Sequence, residues 1–335
     1  MNYEHERKTA IEAVINACRL CGAAQHKLAD HHRMSKTDAS PVTVADFGAQ
    51  ALIISHILRT FPHDALVGEE EASVLRQPEQ RRLRDEVIRL VSEVDPSMDE
   101  AQILAAIDCG AQPCDFTQRY WTLDPVDGTK GFLRGEQYAV ALALIEQGEP
   151  VLGALGCPNI LIDPAAPERG KGVVFIGVKG QGAFIRPLDE AREIPIHAGT
   201  DADPSHARVT DSVEKEHAAH DAHAKIAAAL GIAAPSLRLD SQAKYGIVAR
   251  GEADIYLRII SNPRYFSCIW DHAPGVAVVK AAGGEVTDAQ GKPLDFSAGR
   301  RLTRNSGVIV TNGAIHEAVV QAARQVGAHE LSDTF

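Results

Sequence analysis

One stretch, WTLDPVDGTKGF at 121–132, constrains this chain more than any other. Trp121 and Leu123 predict a core strand. Asp124 and Asp127 follow, three apart, with a proline between them and Gly128 and Thr129 just after. Burying one carboxylate without a partner is costly, and burying two is worse. A fold that carries both to the end of a buried strand must supply a compensator, and the obvious one is a cation.

Composition narrows what surrounds that strand. The chain has 335 residues, 45% of them apolar, which is enough for a sizeable core in one large domain or two intimate ones. Its net charge is −11, from 34 basic and 45 acidic residues, which argues against a nucleic-acid polymer as partner. No apolar run approaches the roughly 20 residues of a membrane span. The first residues, MNYEHERKTAIEAV, carry acids and no apolar signal core, so the expectation is a cytoplasmic protein. Cys18 and Cys21 have C-x-x-C spacing, but no second pair completes a zinc site; they read as small residues on a helix face.

Periodicity places the rest. Ile11, Val14, Ile15, Cys18 and Cys21 share one face of a helix over 8–27. A polar, turn-rich segment containing His31 and His32 follows. Thr43 is the expected cap of a second helix over 44–60, with Phe47, Ile54 and Leu58 inward. ALVGEEE is a short strand running into carboxylates, and 72–108 is charged and helical. From 120 onward strands dominate, with hairpins at 138–158 and 172–187. Beyond 205 strands and helices alternate, and Gly283 and Gly284 stop a helix that begins near 271. Interleaved helices and sheets predict layers of α and β rather than a bundle or a barrel.

Four acidic positions fall at element ends: Asp46, Glu69, the pair Asp124 and Asp127, and Asp271. Each has a plain structural explanation alone, as a helix cap, a solvated charge run or a turn. Together, with oxygen donors and no Cys/His set, they describe a site for a hard cation such as Mg²⁺. Other readings of DPVDGT fail on spacing. A D-x-D-G-T phosphatase needs its aspartates two apart. An EF-hand counted from Asp124 needs glutamate at its twelfth position, where Gly135 stands, and GTKGFLRG has the wrong order for a Walker loop.

GEE at 68–70, DPVDGT at 124–129 and WDHAPG…AGG at 270–284 resemble the lithium-sensitive, Mg²⁺-dependent phosphatases of the inositol monophosphatase superfamily. SVEKEHAAHD, LDSQAKYGIVARGEADIYLR and IWDHAPG look like its 3'(2'),5'-bisphosphate nucleotidase branch. The resemblance implies an αβαβα sandwich. It makes Glu69, Asp124, Asp127, Asp271 and the Val126 carbonyl ligands of two or three Mg²⁺ ions, with Asp46 holding the weakest, where Li⁺ would inhibit. Asp46 and Thr129 would orient and deprotonate the attacking water. Asp127, Gly128, Thr129 and Asp271 would face the reacting phosphate, and His220, Ser241, Lys244 and Arg258 would grip the second phosphate and the nucleoside. The implied reaction removes the 3'-phosphate of 3'-phosphoadenosine 5'-phosphate, and perhaps of its sulfated relative, in a monomer.

Read this way, the chain divides into 1–160, carrying most metal ligands, and 161–335, carrying the substrate residues and Asp271. An inositol polyphosphate 1-phosphatase or an inositol monophosphatase would share the metal site. A catalytically silent metal- or nucleotide-binding regulator is the rival of another kind, and intact Asp46 and Thr129 speak against it.

Overall fold

The computed structural model describes residues 2–31, 41–213, 220–260, 262 and 264–327. Two long helices open the chain, α1 (Glu4–His31) and α2 (Pro41–Thr60), packed on each other. The second begins at Pro41, not after Thr43: proline's fixed φ suits a first helical position, and its missing N–H costs nothing there. The predicted inward residues Phe47 and Ile54 are buried, and Leu58 packs half-buried beside them. Cys18 and Cys21 are buried on the core face of α1. The side chains of His31 and His32 lie outside the described residues.

A seven-stranded sheet follows, in the order β1 (Ala65–Val67), β2 (Arg119–Asp127), β3 (Ala139–Glu146), β4 (Glu149–Leu161), β5 (Lys171–Val178), β6 (Gly182–Pro187) and β7 (Ile194–Ile196). Helices α3 (Arg81–Val94) and α4 (Glu100–Cys109) sit between β1 and β2, which pair in parallel; every later pair is antiparallel. The short α5 (Thr129–Arg134) links β2 to β3. β3 and β4 are apolar on both faces because both faces are covered.

The second sheet has five strands: β8 (Val209–Asp211), β9 (Leu237–Arg238), β10 (Ile255–Arg258), β11 (Glu285–Thr287) and β12 (Val308–Thr311), ordered β11-β12-β10-β8-β9. Helices α7 (Ala243–Ala249) and α8 (Ala273–Ala281) lie between the sheets, with α8 against β3, β4 and β5 and α7 against β8 and β10. Helices α6 (His220–Ala229) and α9 (His316–Gln325) cover the far face of the second sheet. Three buried clusters fill the spaces between these layers, giving the expected αβαβα order.

The change from one sheet to the other falls late in the chain. Residue 160 lies at the end of β4, and β4 goes on to pair with β5 through Leu161 and Lys171. A division at 160/161 would cut a continuous ladder; the change of sheet falls between Ile196 and Val209.

Candidate active site

The spacing of Asp124 and Asp127 has a backbone cause. In a regular strand, residues three apart point to opposite faces. Asp124 pairs with Ala141 and Asp127 with Ala139, so three steps on β2 match two on β3. That extra residue is a β-bulge, placed where Pro125 cannot donate to the ladder. It returns both aspartates to one face, the one Ala139 and Ala141 share with the inter-sheet core, while Trp121, Leu123 and Val126 pack toward α1 and α2.

Beyond the bulge the chain turns sharply. Gly128 has φ 90°, and a Cβ there would come within 2.9 Å of the Ser241 Cβ. Ser241 is itself left-handed, at φ 66°, which is uncommon for a residue with a side chain. The two unusual residues face each other across the floor of a cavity of about 440 Å³. Its lining includes the acidic set Glu69, Asp124, Asp127 and Asp271 with Val126 and Thr129, and beside them Ser241, Lys244, Arg258 and Tyr265. The cavity lies where the two sheets and α7 meet.

The acidic part is electrostatically crowded. Asp124 is buried, and its Oδ1 has no hydrogen-bond partner. Burial first, then Glu69, Asp127, Asp271 and Asp46, hold its carboxyl well above the usual range. Glu69 keeps solvent access at the mouth of the cleft. Even so, enclosure by the cleft walls first, and then Glu70, Asp271 and Asp127, push it up to about 7. Asp46 stands outside the cavity lining, and burial followed by Glu70 and Glu69 raises it well above the ordinary value. Asp127 Oδ2 accepts the Gln242 N–H at 2.6 Å, and Asp271 Oδ2 accepts the Cys268 N–H at 3.1 Å. Asp271 therefore does not cap α8: it ends a single 3₁₀ turn, Ile269–Asp271, and α8 starts at Ala273. Glu69 and Glu71 are exposed and Glu70 is half-buried, yet Glu69 also lines the cavity.

These residues suit a hard divalent cation by donor chemistry: carboxylate oxygens, the Val126 carbonyl, and one buried carboxylate oxygen left unsatisfied. Among the described residues no three Asp, Glu, His or Cys side chains already converge tightly enough to cage an ion. Asp127 and Asp271 each give one oxygen to a backbone N–H instead. Thr129 Oγ1 lies 3.5 Å from the Val126 carbonyl oxygen, a long contact.

The basic part is as well defined. Lys244 is buried, its Nζ donating to the Leu239 carbonyl at 3.2 Å and lying 5.2 Å from the Tyr256 ring centroid. Burial first lowers its pKa to about 8, against an opposing pull from Asp127. Arg258 Nη2 donates to the Tyr265 hydroxyl at 2.9 Å and sits 3.7 Å from Asp271 Oδ2. Neither is a surface salt-bridge residue. His220 opens α6, but its side chain lies outside the described residues, as does His217. His223, on the same helix, is buried against Asp211, with Nδ1 3.2 Å from Oδ1.

The cavity also includes residues that motif reasoning passed over: Lys130, Asp211, Ser212, Asp240, Gln242, Tyr256 and Tyr265. Gln242 touches Asp127 through its backbone, and no side-chain pattern could have revealed that. Tyr256 and Tyr265 flank Arg258 in sequence, which was a usable signal.

A profile of the inositol monophosphatase family matches residues 2–328. The chain belongs to that family. The 3'(2'),5'-bisphosphate nucleotidase of Emericella nidulans is 44% identical, over 97% of this chain and 99% of that protein. Its namesakes in Schizosaccharomyces pombe (39%, covering 97% of each chain) and Oryza sativa (40%, covering 96% of this chain and 94% of the other) are comparably similar. Among solved structures, the inositol monophosphatase of Anabaena superposes with a TM-score of 0.61 at 20% identity, over 97% of each chain. That of Zymomonas mobilis gives 0.60 at 21%, over 97% of this chain and 99% of the other. At such identities these two establish the shared fold.

Proposed function

We propose that this family member is a Mg²⁺-dependent 3'-nucleotidase that hydrolyses 3'-phosphoadenosine 5'-phosphate to AMP and phosphate, and accepts its sulfated relative. The observation that carries this reading is the mixed lining of one cavity. Clustered carboxylates line it together with a buried lysine and an arginine. A substrate with one phosphate needs only the first; a bisphosphate uses both. The names borne by relatives up to 44% identical along nearly the whole chain agree.

Glu69, Asp124, Asp127, Asp271 and the Val126 carbonyl would hold Mg²⁺, with Asp46 contributing to a third and weaker site. When bound, the ions supply charge neutralisation for a phosphoryl group and lower the pKa of water. The chain's own residues do the rest. Asp46 would accept a proton from the attacking water, which Thr129 Oγ1 helps to orient. The N–H groups after Asp127 face the reacting phosphate, where Gly128 alone lets the backbone approach. Lys244 and Arg258 donate to the distant phosphate, so binding energy far from the scissile bond orients it. All six cysteines are free thiols, which suits a reducing compartment, and we take the enzyme to be cytoplasmic and monomeric.

The test is phosphate release with Mg²⁺ from 3'-phosphoadenosine 5'-phosphate and from inositol 1,4-bisphosphate in parallel. A clear preference for the nucleotide supports the reading. A preference for the inositol phosphate makes the protein a polyphosphate 1-phosphatase. Release from neither, with Mg²⁺ bound, makes it a silent binder.

A further inference from the structure

We infer that Arg300 is a positioning residue that ties the Glu69 turn to the Asp271 turn and thereby sets the affinity of the carboxylate cluster for divalent cations. The inference rests on reading Glu69 and Asp271 as metal ligands.

Glu69 and Asp271 come from elements 202 residues apart, one after β1 and one before α8. Neither turn has a hydrogen-bond ladder to the other. Arg300 reaches both. Its Nη2 donates to the Gly68 carbonyl at 2.6 Å, and its Nη1 to the Gly110 carbonyl at 3.2 Å. Gly110 also accepts the Gly68 N–H at 2.9 Å, so the planar fork clasps a pair of backbone strands already joined at that point. On the other side, the Arg300 carbonyl accepts the Ile269 N–H at 3.0 Å, at the start of the turn that ends in Asp271. The same guanidinium lies over the Trp270 ring, 4.8 Å from its centroid. One residue thus holds the backbone before one ligand and both the backbone and the neighbouring side chain of the other.

The tie extends to Asp127. The Trp270 carbonyl accepts the Gln242 side-chain N–H at 2.9 Å, and the Gln242 backbone N–H donates to Asp127. From below, Gln50 on α2 holds the same acidic turn: its amide accepts the Glu70 N–H at 3.0 Å and donates to the Glu70 carbonyl at 2.8 Å. Glu69 is therefore gripped at both its chain neighbours, by Arg300 at Gly68 and by Gln50 at Glu70. Neither Glu69 nor Asp271 has Arg300 among the main charges acting on its carboxyl. Arg300 works through geometry, and a second cation in its place cannot replace a bidentate, stacked fork. Partners that orient ligands from behind typically contribute about ten- to a hundredfold in metal affinity.

The experiment is calorimetric titration of Mg²⁺ into the full-length protein without substrate, for wild type, Arg300→Met, Arg300→Lys and Arg250→Met. Arg250 is the matched control: it also donates to two backbone carbonyls, of Leu161 and Ile162, and lies 5.4 Å from the Phe175 centroid. Arg300→Met is expected to weaken Mg²⁺ binding about ten- to a hundredfold. Arg300→Lys should recover only part of it, and Arg250→Met should lower the melting temperature while leaving Mg²⁺ affinity within about twofold of wild type. Excess Mg²⁺ should restore kcat in Arg300→Lys. Wild-type affinity in either Arg300 variant overturns the inference, as does an equal loss in Arg250→Met. Should Arg300→Met not fold, Arg300→Lys carries the same comparison. Wild-type protein that binds no Mg²⁺ overturns the metal-site reading itself, and the inference with it.

Discussion

The backbone N–H of Gln242 donates to Oδ2 of Asp127 across 2.6 Å. That N–H can point there because Ser241, the residue before it, adopts a left-handed backbone conformation. Strain of this kind costs on the order of 1–3 kcal/mol and persists where the surrounding structure holds it. Here it joins the loop that leads to Lys244 directly to the carboxylate cluster.

Asp124→Asn should abolish turnover without unfolding the protein. Asp124 is buried, is opposed by four other carboxylates and has an oxygen with no partner. Loss of its charge should lower kcat/KM by at least about a hundredfold, the upper range for merely orienting residues. Because like charges are relieved, the metal-free variant should melt at or above the wild-type temperature. Thermal melts with and without Mg²⁺, beside a phosphate-release assay, check both halves; near-normal Mg²⁺-dependent activity would remove Asp124 from the metal site.

Lys244→Met should separate substrates. A lost charged hydrogen bond is worth roughly 1.5–3 kcal/mol, so KM for 3'-phosphoadenosine 5'-phosphate should rise about ten- to a hundredfold. The kcat should move less, and 3'-AMP should barely register the change. Arg258→Met should give a mixed result, since Arg258 also sits 3.7 Å from Asp271. Equal losses on both substrates for Lys244→Met would assign that lysine to the scaffold.

Lys244 also predicts a pH dependence. Burial brings it down to about 8, so it is charged below that pH and neutral above it. kcat/KM for the bisphosphate should fall as pH rises through about 8, while 3'-AMP lacks this limb and Lys244→Arg moves it to higher pH. Stability should run the other way. Between about 8 and the ordinary lysine value of 10.5 the unfolded chain holds a proton that the folded one has released, so this group adds stability as pH rises. Parallel pH profiles of kcat/KM and of melting temperature check the opposite signs.

Li⁺ should inhibit in an uncompetitive or mixed manner. Asp46 is not among the residues that line the cavity, and we read the ion it would help to hold as the weakest of the three. Asp46→Asn should blunt the inhibition along with the activity. Steady-state rates over a Li⁺ series at several substrate concentrations decide it; complete indifference to Li⁺ would detach Asp46 from this role.

Periodicity made the layers legible because burial repeats along a helix or strand. The apolar runs of β3 and β4, the helices either side of 95, and the glycine stop after α8 all follow from local spacing. Carboxylates at element ends made the acidic part of the cavity legible. What escaped depends on partners distant in the chain. That β4 runs past residue 160 and pairs with β5 could not be read, because nothing local at 160 announces it. Gln50, Gln242 and Arg300 bind backbone groups, which every residue carries, so no residue type announces them. The left-handed Ser241 could not be read from a serine.

The bulge in β2 gives the site a further property: it is encoded as a count. No side-chain exchange between Asp124 and Asp127 alters which face they share, whereas adding one residue to β3 between Ala139 and Ala141 would even the ladder at three steps against three and turn the two carboxylates to opposite sides. The evened pair of strands would ladder better than the natural one and be chemically useless. Between these aspartates, then, drift in residue identity is tolerable and drift in strand length opposite them is not, and an insertion that improved the sheet would be the hardest kind of loss to repair by later point changes.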